Sequence, residues 1–130
     1  MAKKSVLFIE DNPGDVKLMR MALSSFEYVQ FIHIDNGEDA LSQLEQMQSL
    51  PDFIVLDLNL PGMNGFEILH IIRQNERLLN IKVAIFTSAP MQKEATYNLP
   101  LYDKYIIKPL VYDEFREVLH DLCREWLRDE

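Results

Sequence analysis

The chain holds a single cysteine, Cys123. One thiol excludes an internal disulfide and a cysteine-built zinc site, so a reducing compartment is the simple expectation. Long apolar runs are missing too. Val6 to Ile9 is too short to be the core of a secretory signal, although Lys3 and Lys4 precede it. No stretch approaches the length that spans a bilayer. Repeats, low-complexity tracts and linkers are also absent. Basic residues are in the minority, 13 against 21 acidic ones, for a net charge of −8. That balance disfavours nucleic acid and anionic membrane surfaces and suits basic partners or cations. A cytoplasmic protein is the expectation.

What is present supports a packed core. The 130 residues suit one domain, 1–130, with no room for a second. Apolar residues make up 48%, and seven Phe, five Tyr and one Trp argue against disorder.

Apolar runs alternate with amphipathic ones along the chain. Ser5 to Ile9 reads as a buried strand ending at Glu10-Asp11. Asn12-Pro13 reads as an N-cap and a first helical proline. Val16, Met19, Leu23 and Phe26 then recur at helical spacing, predicting a helix from Pro13 to about Ser25. Val29 to Ile34 is a second strand, and Ala40, Leu41, Leu44 and Met47 mark a second helix. Phe53 to Leu58 is a third strand, followed at Gly65 by a helix carrying Phe66, Leu69 and Ile72. Lys82 to Phe86 is a fourth strand. A short helix is expected from Met91 to Asn98, stopped by Pro100. Lys104 to Ile107 is a fifth strand. Phe115, Val118, Leu119, Leu122, Cys123 and Trp126 share one face of a last helix, roughly Tyr112 to Arg128.

Five strand–helix units in alternation predict an α/β fold, a parallel sheet with helices on both faces. Right-handed crossovers leave few topologies. The expected one is a flavodoxin-like three-layer sandwich in strand order 2-1-3-4-5, with about five helices.

In that order the ends of strands 1, 3, 4 and 5 share one rim, where open α/β sheets bind ligands. Each ends in a polar group: Glu10 and Asp11, then Asp57, Thr87 and Lys108. Asp57 alone is explained as well by ending a strand and bracing a turn. Together, Glu10, Asp11 and Asp57 bring three carboxylates to one place. Like charges about 4 Å apart repel by roughly 1 to 4 kcal/mol per pair, depending on screening. A cation or a proton offsets that. All-oxygen ligands favour a hard ion, Mg²⁺ or Mn²⁺. The backbone carbonyl of Asn59, two residues beyond Asp57, is a further candidate ligand. Lys108 supplies a fixed positive charge, and Thr87 a hydroxyl that can donate to an anion. The set suits a phosphoryl group carried on the Asp57 carboxylate.

Four stretches carry a resemblance to a known family. They are Glu10-Asp11-Asn12, Asp57 through Gly65 (DLNLPGMNG), Thr87-Ser88-Ala89, and Tyr105 with Lys108-Pro109. The chain resembles the receiver domain of two-component response regulators, from Lys4 to about Arg128. The resemblance implies a signalling switch rather than an enzyme, with Asp57 accepting a phosphoryl group from a sensor histidine kinase or phosphotransfer protein. It implies Mg²⁺ held by Asp11, Asp57 and the Asn59 carbonyl, with Glu10 acting through water. It implies that Thr87 moves towards the phosphate, that Tyr105 turns inward behind it, and that the Lys108–Pro109 turn contains a cis peptide bond. The opening Glu10 to Val16 is most similar to small single-domain regulators that partner phytochrome-type kinases. Without a DNA-binding segment, output is expected through protein contact, onward phosphotransfer or a change of oligomeric state such as a homodimer.

The chain departs from the family where Pro90, Asn98 and Pro100 crowd the segment before strand 5, which no glycine precedes. Two other chemistries remain in view. A phosphohydrolase of the haloacid dehalogenase kind also uses an aspartyl phosphate, but resembles Asp-x-Asp on a first strand. A flavin carrier on this fold needs a phosphate loop less acidic than Asp11 to Asp15.

Overall fold

The structure, a computed structural model, describes residues 3–88 and 101–127. In chain order it forms β1 (Lys4–Ile9), α1 (Pro13–Leu23), β2 (Val29–Ile34), α2 (Gly37–Gln46), β3 (Phe53–Leu56), α3 (Gly65–Gln74), β4 (Lys82–Thr87), β5 (Lys104–Ile107) and α4 (Tyr112–Trp126). All strand pairs are parallel, in the order β2-β1-β3-β4-β5. The topology is the expected one. Four helices are described. The short helix expected from Met91 to Asn98 lies outside the described residues, as do Ala89, Pro90, Pro100 and Arg128.

Successive side chains of a strand point to opposite faces, and the core follows that rule. Leu7, Ile9, Ile54, Leu56, Val83 and Ile85 face α2 and α3, meeting Leu44, Ile68, Leu69 and Ile72. Val6, Phe8, Phe53, Val55, Ala84 and Phe86 face α1 and α4, meeting Met19, Leu23, Phe115, Leu119 and Leu122. Both faces are covered, which is why β1, β3 and β4 read as continuous apolar runs. Burying each Val, Leu, Ile, Phe or Met among them stabilises the fold by about 1.5–3 kcal/mol before entropy is counted.

Helix starts are written locally. Asn12 accepts from the Asp15 N–H, with Pro13 at the first helical position. Asn36 accepts from the Asp39 N–H. Asn64 and Glu67 form a reciprocal capping box at α3. Each cap satisfies donors that a helix cannot pair internally.

Arg73 ties distant parts together, which the sequence did not announce. From the last turn of α3 it donates to the carbonyls of Leu101 (2.7 Å), Leu79 (2.9 Å) and Ile81 (2.7 Å) and pairs with Asp103 at 3.0 Å. Asp103 in turn accepts from the Val83 N–H at 2.8 Å. This clamp fixes where β4 begins and where the chain enters β5.

Two glycines in the β3–α3 loop have separate reasons. Gly62 sits at φ +77°, beyond the ordinary reach of an L side chain. Gly65 opens α3 with no room for a Cβ, which would stand 2.6 Å from the Asp57 carbonyl oxygen and 2.8 Å from Leu58 Cα. Those neighbours are backbone and cannot swing aside. Gly65→Ala is therefore expected to destabilise the protein by roughly 1–3 kcal/mol, read from the midpoint of urea denaturation. An unchanged midpoint would mean that α3 can back away from the β3 end.

Candidate functional site

Strand register builds the rim. Ile9 is level with Leu56, Leu56 with Ile85, and Thr87 with Ile107. Glu10 and Asp57, next in their strands, therefore emerge together, and β5 runs two residues past their level to Lys108. The Asp57 N–H donates to the Ile9 carbonyl at 3.1 Å, and the Lys108 N–H to the Thr87 carbonyl at 2.8 Å. Glu10, Asp57 and Lys108 are thus held by the sheet itself.

The Lys108 ammonium is the hub. Its Nζ lies 2.7 Å from Glu10 Oε1, 2.7 Å from Asp15 Oδ2 and 3.1 Å from Asp57 Oδ2. The lysine side chain is only 8% exposed. Glu10 is almost wholly buried at 1%, Asp57 keeps a 6% opening and Asp11 is exposed. Glu10, Asp11 and Asp57 each offer an oxygen, and these lie within 4.8 Å of one another. Every carboxylate expected at the site is there.

The remaining residues fall as follows. Thr87, buried, ends β4 beside this cluster. Asn59 meets Asp57 through its backbone N–H, which donates to Oδ1 at 3.1 Å. That contact pins the acceptor side chain from the loop. Tyr105 is half-buried in β5, its ring 5.5 Å from that of Tyr102 and packed on the α2–α3 side of the core. One expectation is corrected: the peptide bond joining Lys108 and Pro109 is trans, since the described residues contain no cis bond. Trans is the ground state even before proline, by about 0.5–1 kcal/mol, and Lys108 meets all three carboxylates from it.

Two participants escaped the sequence reading. Asp15, in the first turn of α1, reads there as an ordinary helix-start acid. His33, at the end of β2, donates through Nε2 to the Glu10 carbonyl at 2.7 Å and steadies the β1 end. Neither has a local signal, because each partner is distant in the chain.

Burial and neighbours separate the acids. Burial, aided by a hydrogen bond to Asp57, raises the Glu10 pKa from 4.5 to about 7. Lys108 opposes that shift, and burial prevails. Asp57 is also pushed up by burial, yet hydrogen bonds from Glu10 and Asn59 and the Lys108 charge leave it below 3.8. Lys108 is pulled down by burial, but Asp15, Glu10 and Asp57 hold it firmly protonated. Near neutrality Asp57 is an ionised carboxylate beside a fixed cation and a half-protonated acid.

The donor set fits a hard divalent cation. It consists of carboxylate oxygens, and the buried Glu10 Oε1 has no hydrogen-bond partner despite its ion pair with Lys108. A cation answers the repulsion among the three acids.

The match to known proteins rests on this geometry and on sequence. The model of the response regulator receiver domain matches residues 6–120. The chain belongs to that family. Receiver domains are signalling modules of two-component systems rather than conventional enzymes. Among solved structures, the phosphorylated cyanobacterial phytochrome response regulator RcpA superposes with a TM-score of 0.86 at 27% identity, covering 97% of this chain and 95% of that one. The Mn²⁺-bound form of response regulator Rcp1 gives 0.84 at 28% identity, covering 98% and 96%. The polar-differentiation response regulator DivK of Brucella anthropi is 30% identical over 89% of this chain and 93% of its own length. No helix among the described residues is long and apolar enough to cross a membrane.

The raised Glu10 pKa gives a test with a definite sign. A carboxyl raised in the folded state stabilises when protonated, so its contribution is full below pH 4.5 and is lost as pH rises through about 7. Asp57 acts oppositely, but its window lies below 3.8. Between those limits the metal-free receiver should lose stability with rising pH. A divalent cation meets a proton on Glu10 at the acid end and none at the alkaline end. The rise in Tm on adding Mg²⁺ should therefore be larger at about pH 8 than at about pH 6, and Glu10→Gln should flatten that difference.

Proposed function

We propose that this receiver domain is a phosphorylation-dependent switch with Asp57 as its phosphoacceptor. The observation that carries the reading is the Asp57 carboxylate, slightly open, with Lys108 Nζ 3.1 Å from Oδ2. The donor is the phosphohistidine of a sensor kinase or phosphotransfer protein. An Asp57 oxygen attacks phosphorus as the N–P bond breaks. The electron pair returns to the imidazole, which takes up a proton from water. Transfer of this kind depends mostly on positioning and charge stabilisation. Lys108 neutralises an oxygen of the moving group, and the Asn59 N–H holds Asp57 in its rotamer.

Mg²⁺ would be held by Asp11, Asp57 and the Asn59 carbonyl, with Glu10 through water. When bound it supplies charge neutralisation on the phosphoryl oxygens. The Mn²⁺-bound form of Rcp1 supports a divalent ion at such a site. The Thr87 hydroxyl then turns to the phosphoryl group, and Tyr105 follows into the space behind it. Coupling of this kind is typically about 1–3 kcal/mol. The likeness to RcpA supports a phytochrome-type kinase as the partner. Output passes through protein contact, onward phosphotransfer or a change of oligomeric state, homodimerisation included.

Incubation with acetyl phosphate and Mg²⁺ should add the mass of one phosphoryl group. Asp57→Asn or chelation of the metal should abolish the addition, and Thr87→Ala should keep it while losing the change at Tyr105 seen by fluorescence. Label persisting in Asp57→Asn would move the acceptor elsewhere.

A further inference from the structure

Lys108 has an acidic partner outside the metal cluster. Asp15 Oδ2 lies 2.7 Å from its Nζ, across 93 residues of chain. An ammonium has three N–H donors, and three carboxylates surround this one: Glu10, Asp15 and Asp57. Glu10 and Asp57 also belong to the acidic cluster, whereas Asp15 does not. Two of the three partners are therefore shared with whatever cation or phosphoryl group the rim accepts. Once those two turn to their new partners, a lysine on a flexible four-carbon stem has lost most of what directs it. Asp15 is the partner that stays.

Asp15 is well placed to hold still. Its N–H donates to Asn12 Oδ1 at 3.0 Å, and Pro13 fixes the first turn of α1. Lys108 is fixed at its backbone by Thr87. The pair thus joins two anchored elements. The lysine side chain is 8% exposed and the Asp15 side chain 25%, so solvent screens their attraction only weakly.

We propose that Asp15 is a positioning residue that keeps the Lys108 ammonium at the rim while Asp57 takes its phosphoryl group. This rests on the function proposed above. It acts through Lys108 and not on the reacting atoms. An acid in the first turn of a helix can also act on the helix dipole alone, and the test separates the two roles.

The experiment is a double-mutant cycle on the rate of phosphorylation by acetyl phosphate at saturating Mg²⁺. Asp15→Asn in the otherwise unaltered chain should slow the reaction roughly 10-fold or more. In a Lys108→Ala background the same exchange should change the rate by less than about 2-fold. An equal loss in both backgrounds, or no loss in the first, overturns the proposal. A chain that takes no phosphoryl group before any substitution would instead sink the switch reading. A second measurement needs neither metal nor donor: the Lys108 ammonium should give a slowly exchanging ¹⁵N–¹H resonance that Asp15→Asn broadens or removes. A resonance unchanged by that exchange also overturns the role of Asp15.

Discussion

One buried ammonium shared among three carboxylates is the constraint around which this molecule is arranged. Glu10, Asp15 and Asp57 come from the end of β1, the start of α1 and the end of β3. Without a central cation their mutual repulsion and loss of water would oppose the approach of those elements. With Lys108 in place, the acids are held close, Glu10 almost wholly buried and Asp57 with only a narrow opening to solvent. Charge that would otherwise be a liability is left able to attract a divalent cation.

The sheet makes that arrangement rigid. Parallel pairing sets Ile9 level with Leu56, so Glu10 and Asp57 emerge together at one edge, and β4 and β5 run past that level to Thr87 and Lys108. The packing beneath is dense on both faces, and a one-residue slip of a strand would put side chains fitted to one buried face against the helices of the other. The β3–α3 loop is fitted as tightly. Gly65 lets α3 begin against the backbone of Asp57 and Leu58, while the Asn59 N–H holds the Asp57 carboxylate. Position at the rim is thus inherited from burial far from it.

The site is also tied into the β4–β5 edge. The hydrogen bond from Lys108 N–H to the Thr87 carbonyl links the two strand ends. Arg73 and Asp103 clamp the opposite end of the same edge to α3. A disturbance at the rim therefore meets an edge fixed at its far end, and the response has to fall on the residues nearer the site.

The division between sequence and tertiary structure follows the reach of each interaction. Strand runs, the helix faces and the Asn12-Pro13 start are governed by neighbours a few residues away, so they were legible in order along the chain. The acidic ends and Lys108 were legible because regular strand alternation fixes topology, and topology fixes which ends meet. The bridge from Asp15 to Lys108 and the clamp from Arg73 to Leu101 and Asp103 were not. Each depends on distances between segments far apart in the chain, and no local pattern encodes such a distance. Sequence alone determined the fold and the chemical character of the rim. Folding decided which acid holds the lysine, how deeply Glu10 is buried and hence where its proton sits, because charge separation and access to water exist only once the elements have packed.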